Sequence, residues 1–305
     1  MTAHSTHHHS AGPDADQRAM VITFVLIVAF MAVEVVVGVV SGSLALLADA
    51  GHMVTDALAI AGAVAAGRLA RRPATSVWTY GLPRAEVLSA AVNGVVLVVA
   101  AALVTLEAAR RLAHPVAVSG PALLITAGVG VAVNVTATWT MARANRRAMH
   151  VEGVFQHVVT DLYAFIATLA AGAVVVVTGF RRADPLASLV VVALMCLAAW
   201  RLLAASGRVL LEAAPDTVDL DEVRQHLLET PHVTDVHDLH AWALTSDLPA
   251  LSAHVVVADC CFDEGHAPWV LDQLQSCLAG HFDLEHSTFQ LEPASHGDHE
   301  RGHHR

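Results

Sequence analysis

Apolar residues in this chain run in long blocks instead of alternating or recurring on one helical face. Six blocks stand out: about Val21–Val40, Leu44–Ala66, Val87–Leu106, Ala122–Met141, Val154–Thr178 and Leu186–Leu203. Each approaches the roughly 20 residues that a helix needs to cross the hydrocarbon core of a bilayer. The pattern predicts a membrane α-helical unit of six transmembrane helices. The first block follows a polar stretch and is too long for the apolar region of a cleavable signal peptide, so it reads as an anchor.

Beyond Arg208 the pattern becomes that of a small soluble α/β domain. Asp219 to Glu229 reads as a capped amphipathic helix, Val233 to Leu244 and Leu251 to Ala258 as strands, Pro268 to Leu278 as a helix, and Thr288 to Glu292 as a last strand. The order α-β-β-α-β predicts a ferredoxin-like open sheet. Four segments follow: a histidine-containing tail over 1–19, a transport unit over 20–207, a cytoplasmic domain over 208–293 and a histidine-rich tail over 294–305. The tails, with His4, His7, His8 and His9 in front and His296, His299, His303 and His304 behind, read as disordered.

Composition sharpens this picture. Of 305 residues, 55% are hydrophobic and only 15% charged, where a soluble chain is nearer 25% charged. The 17 basic residues are all arginine, and 28 acids bring the net charge to -11, which argues against nucleic acid as a partner. Cys196, Cys260, Cys261 and Cys277 include no C-x-x-C pair, which argues against a disulfide framework or a thiolate zinc site. The loops on the side of the termini carry Arg18, Arg68, Arg71, Arg72, Arg84, Arg143, Arg146, Arg147, Arg201 and Arg208. Only Arg110, Arg111, Arg181 and Arg182 face the other side. Positive-inside bias then places both termini in the cytoplasm and the protein in the inner (plasma) membrane, with the lipid bilayer as its medium.

The candidate chemistry lies within the apolar blocks. The second reads LLADAGHMVTDALAI and the fifth GVFQHVVTDLYAF, so His52 and Asp56, and again His157 and Asp161, stand four apart on one helical face. Ionisable groups at membrane depth are expensive and mark function. Face to face, the two pairs offer two imidazole nitrogens and two carboxylate oxygens, a tetrahedral set suited to zinc and open to cobalt, cadmium or iron. Two aspartates neutralise a bound Zn²⁺, and without metal the same buried groups favour protons. Metal and protons therefore compete for one site, the basis of antiport. Asp49, three residues before His52, Glu34 in the first span, and Asn93 and Asn134 in the third and fourth are candidates to line the path or orient ligands.

Four stretches, SGSLALLADAGHMVTD, YGLPRAEVLSA, HVEGVFQHVVTD and HDLHAWALTSDLPALSAHVVV, resemble the cation diffusion facilitator family over about Met20 to Pro293. The resemblance implies a six-span transporter, working as a homodimer, that exports zinc or a related divalent ion from the cytoplasm in exchange for protons. It carries the transport-site role onto His52, Asp56, His157 and Asp161, and His as first ligand resembles the zinc-preferring branch. It further implies regulatory metal in the cytoplasmic domain at His237, His254 and the Gln290 to Glu292 region. Zinc would then be both transported substrate and regulatory ion. From the residues themselves, His237, His240, His254, His286 and Glu292 fall on or beside the predicted strands, where neighbouring strands bring such groups together, although exposed histidines need no such role. The family's histidine-rich loop between the fourth and fifth spans is replaced here by ARANRRAMH. Metal capture would then fall to the terminal histidine clusters, which are equally compatible with inert tails.

Rival functions fare worse. An intramembrane metalloprotease needs His-Glu-x-x-His, which does not occur, so no enzyme is expected. A passive channel for divalent cations favours weak multi-site rings over one closed tetrahedral site. A membrane-anchored metal sensor would leave the paired residues of two spans without purpose.

Overall fold

The computed structural model describes residues 13–41, 44–114, 120–144, 148–180, 182–245, 248–263, 265–282 and 286–298. The side chains of Glu34, Asp49 and His52 lie outside that description, as do residues 1–12 and 299–305 of the tails. Contacts divide the chain into two compact units that meet between Ser206 and Gly207.

Among the described residues the first unit holds six long helices: α1 (Pro13–Ser41), α2 (Leu44–Ala70), α3 (Arg84–Ala113), α4 (Gly120–Met141), α5 (Met149–Thr178) and α6 (Ala183–Leu210). α1, α3 and α6 run past their apolar blocks at both ends, while α2 starts with its block at Leu44 and α4 and α5 end with theirs at Met141 and Thr178. Pro13 suits a first helical turn, so α1 begins inside the stretch expected to be a tail. Gly179 ends α5 in the left-handed conformation (φ 71°), its N–H donating to Val175 O at 2.9 Å. Among the described residues, five helices are long and apolar enough to cross a membrane: α1, α3, α4, α5 and α6.

Two interior seams hold these helices. Ile27 and Phe30 of α1, Met53 and Ile60 of α2, Met141 of α4 and Val154 and Val158 of α5 share one. Ala90, Leu97 and Ala101 of α3 meet Val191, Met195 and Leu202 of α6 in the other. Outward faces carry Val25, Leu58, Val92, Leu103, Ile125 and Val177 in the open. That inverted arrangement suits lipid, which offers apolar surfaces no penalty. Close approach relies on small residues. Gly153 lets α5 reach α3, where Asn93 Nδ2 donates to the Gly153 carbonyl at 2.8 Å. On α4 the Phe165 ring fills the space a side chain at Gly130 would need, and its other side meets Phe30 edge-on at 6.2 Å.

The second unit contains α7 (Leu220–Leu228), β1 (Val233–Thr245), β2 (Leu248–Val257), a four-residue α8 (Cys260–Asp263), α9 (Ala267–His281), β3 (His286–Pro293) and a 3-10 turn (Ala294–Asp298). Asp219 caps α7, its Oδ1 accepting from the N–H of Asp221 at 2.9 Å and of Glu222 at 3.3 Å. Strand order is β1-β2-β3, with β2 antiparallel to β1 and parallel to β3 through the α9 crossover. β2 begins three residues before the apolar run because Leu248 already pairs with Thr245. Val223, Leu227, Leu251, Val255, Leu274 and Leu278 pack one face of the sheet against the helices. By alternation, His237, His254 and Glu292 fall on the opposite face.

Glycine packing on α4 yields a direct test. Gly130→Ala should destabilise the protein by about 1–3 kcal/mol through overpacking against Phe165. Gly128→Ala, with nothing within 4 Å of its added carbon, should leave thermal unfolding in detergent unchanged.

Candidate metal centres

Helical spacing and helix packing together build the membrane cluster. Asp56 lies twelve residues into α2 and His157 eight into α5, which at 1.5 Å per residue puts them about 18 and 12 Å from those helix starts. Both side chains are buried, Asp56 3% and His157 2% exposed. His157 Nε2 stands 2.8 Å from Asp56 Oδ1 and 3.7 Å from Asp161 Oδ2, so one imidazole faces two carboxylates on two helices. One donor atom from each of the three residues lies within 4.8 Å of the others. The other ring nitrogen, His157 Nδ1, is buried without a hydrogen-bond partner among the described residues. Such an arrangement of one imidazole nitrogen and two carboxylate oxygens is three-quarters of a tetrahedral N/O site. His52 and Asp49 belong to α2, but their side chains lie outside the described residues, as does that of Glu34 in α1.

The asparagines serve packing. Asn93 joins α3 to α5, and Asn134 Nδ2 donates at 3.1 Å to Gly130 O within its own helix. His150 is not a loop residue. It is the second residue of α5, buried, with Nδ1 3.0 Å from Glu86 Oε2 and its ring against Gly67.

In the second unit, β-sheet register assembles another cluster. His237 pairs with His254 across β1 and β2, and β3 brings Glu292 alongside. His254 Nδ1 lies 2.7 Å from Glu292 Oε1, His237 Nε2 lies 3.5 Å from Glu292 Oε2, and the two ring centroids are 5.2 Å apart. Two imidazoles on one tetrahedral zinc would stand at about that separation. Glu292 is only 2% exposed, and its Oε2 has no hydrogen-bond partner among the described residues, so a cation fits the chemistry of this donor set. Gln290 Nε2 donates to Glu292 Oε1 at 2.7 Å and thereby orients the carboxylate from beside it. His240 and His286 are exposed and lie outside this cluster. His240 faces Ser252, and His286 is the first residue of β3, pairing with Ala250.

A third group was not legible from spacing: His232, Cys260 and Cys261 also place donor atoms within 4.8 Å of one another. The adjacent cysteines were the available signal. Their partner stands 28 residues earlier, and only the β1–β2 hairpin brings it near.

Comparison with known proteins places the chain in a family. The sequence profile of the cation efflux transmembrane domain matches residues 20–211, and that of the cation efflux protein cytoplasmic domain matches residues 215–294. The chain is 37% identical to the zinc transporter ZitB of Escherichia coli, covering 95% of this chain and 92% of that one. It is 36% identical to the metal cation efflux system protein CzcD of Cupriavidus metallidurans, over 96% and 91%. A cadmium, cobalt and zinc/H(+)-K(+) antiporter of Bacillus velezensis is 32% identical, over 95% and 93%. The metal-bound C-terminal domain of the CzcD transporter is 45% identical over 25% of this chain and 99% of its own, with a TM-score of 0.22. With the transmembrane profile spanning more than half of the chain and relatives running along nearly all of it, the chain is a multi-pass membrane protein of the cation efflux family, the cation diffusion facilitators.

Proposed function

We propose that the protein exports a divalent metal ion, zinc foremost, from the cytoplasm by exchange for protons at a site formed by His52, Asp56, His157 and Asp161. The observation that carries this reading is the convergence of Asp56, His157 and Asp161 from two helices in the interior of the membrane unit. Relatives named as zinc transporter and as cadmium, cobalt and zinc antiporter support both the cargo and the exchange, and a mixed N/O donor set admits cadmium and cobalt as well as zinc. A transporter family gives no reason to expect enzymatic activity.

Charge balance gives the mechanism. Asp56 and Asp161 bring two negative charges to a site of low dielectric, and a divalent cation cancels both. His157 would supply one neutral nitrogen, and His52, four residues before Asp56 in the sequence, would supply the second. When the ion leaves, the carboxylates cannot stay bare at this depth, and protons take its place on the same lone pairs. Each half-cycle thus delivers one kind of positive charge and returns the other. Exposure of the site to alternate sides turns that competition into transport.

We extend the reading to the whole chain. α2 would be the sixth crossing, the membrane unit would span 20–207 and the soluble domain 208–293, with a ferredoxin-like α-β-β-α-β order. The arginine bias supports cytoplasmic termini in the inner membrane. The cytoplasmic profile's match and the His237, His254 and Glu292 cluster support a homodimer in which zinc at this face regulates transport.

In sealed proteoliposomes, Asp161→Ala should reduce zinc-dependent proton movement to the level of protein-free vesicles while thermal unfolding in detergent stays that of a folded protein. Zinc transport at the parent rate would rule out the site. Collapsing the pH gradient with a protonophore should abolish uphill zinc accumulation, whereas a passive channel would carry zinc down its gradient unaffected. Zinc affinity at the site should fall by up to about tenfold per pH unit for each competing proton as the medium is acidified, read from competition with a metal indicator.

A further inference from the structure

We propose that His232, Cys260 and Cys261 form a thiolate site for a thiophilic d¹⁰ cation, Zn²⁺ or Cd²⁺, with His266 as the fourth donor. It is a separate site from the membrane cluster and from the His237, His254 and Glu292 face.

The backbone brings the donors together. His232 stands directly before β1 in the left-handed conformation (φ 72°), uncommon for a residue with a side chain. Its carbonyl accepts the Ala258 N–H at 2.9 Å, tying the entry of β1 to the segment that leaves β2. That segment turns at once: Cys261 N–H donates to Ala258 O at 2.9 Å, and His266 N–H donates to Cys261 O at 2.9 Å. One donor atom each from His232, Cys260 and Cys261 thereby falls within 4.8 Å of the other two. On a tetrahedral zinc, with Zn–S about 2.3 Å and Zn–N about 2.0 Å, donor atoms stand about 3.5–3.8 Å apart. The remaining contraction is a side-chain adjustment, open to the exposed Cys260.

A fourth donor lies close by, outside the 4.8 Å group, and would swing in on binding. The His232 and His266 ring centroids are 5.9 Å apart and tilted by 35°, close to the separation of about 5 Å for two imidazoles on one zinc. Trp269 meets the His232 ring edge-on at 6.2 Å and walls that side.

Cys261 is 0% exposed and packs in the domain core, where a lone thiol would act as a small apolar side chain. A second thiol and an imidazole with donor atoms within 4.8 Å of its own are superfluous for packing. They are what a soft cation requires, since thiolates select such ions where N/O sites do not. Each cysteine gives up its S–H proton on binding, so loading the site releases two protons to the medium.

The test is Co²⁺ titration of the full-length, reduced protein in detergent, read by the sulfur-to-cobalt charge-transfer absorption, with Zn²⁺ then displacing the band. The band should persist when Cys196 and Cys277 are both replaced by Ser, and in Asp161→Ala and His254→Ala. Cys260→Ser and His232→Asn should each weaken Co²⁺ binding by at least about tenfold, a loss that even outer-sphere partners of a metal produce. Asn is chosen because it tolerates positive φ, so the backbone at 232 is kept. Absence of the band from the parent protein, or titration of either variant as the parent does, overturns the site.

Discussion

An uncompensated charge cannot rest inside a membrane, and the organisation of this protein follows from that constraint. A carboxylate at the centre of a bilayer costs about 3 kcal/mol by insertion measurements, and more on an isolated helix. Asp56 and Asp161 are brought together around a single imidazole, and on the proposed function one divalent ion or a set of protons would satisfy both charges there. On that proposal each occupant is the replacement for the other. An empty, unprotonated site is the state the surroundings penalise most.

Helix packing has to hold that cluster against lipid, which supplies no hydrophobic drive between helices. Small residues supply the closeness instead. Gly153 brings α5 against α3, and the Asn93 amide uses the buried Gly153 carbonyl as a clip four residues from His157. Gly130 and Phe165 set the distance between α4 and α5 from the other side. The soluble unit solves an analogous problem with a sheet: one face is packed with Leu and Val, and the polar groups gather on the other, where His254 and Glu292 meet at 2.7 Å.

What the sequence made legible tracks the range of the interactions involved. A period of 3.6 along α5 placed His157 with Asp161, since both sit on one element, and the same spacing on α2 leaves His52 with Asp56 as an expectation. Contact between Asp56 and His157 needs helix packing, which spacing alone does not give. The strand set was readable because β-branched runs bounded by polar turns mark it, yet the start of β2 was set by its partner across the hairpin at Thr245 and not by its own residues. His240 and His286 share the composition of the cluster residues but fall at register positions away from it. His232 and the adjacent cysteines show the converse: no short motif joins them, and a hairpin of some thirty residues does.

The exchange of metal for protons at one membrane site is the central claim, and the protons displaced per ion measure it. Zinc binding to the full-length protein carrying Cys260→Ser and His254→Ala, less the binding that remains when Asp161→Ala is added, isolates the membrane cluster, and titration calorimetry in buffers of differing ionisation enthalpy counts the protons. The account predicts a binding enthalpy that varies with the buffer, giving release of at least about one proton per zinc near neutral pH, the amount growing as the medium is acidified. A binding enthalpy independent of the buffer would show that zinc enters without displacing protons and would contradict the account.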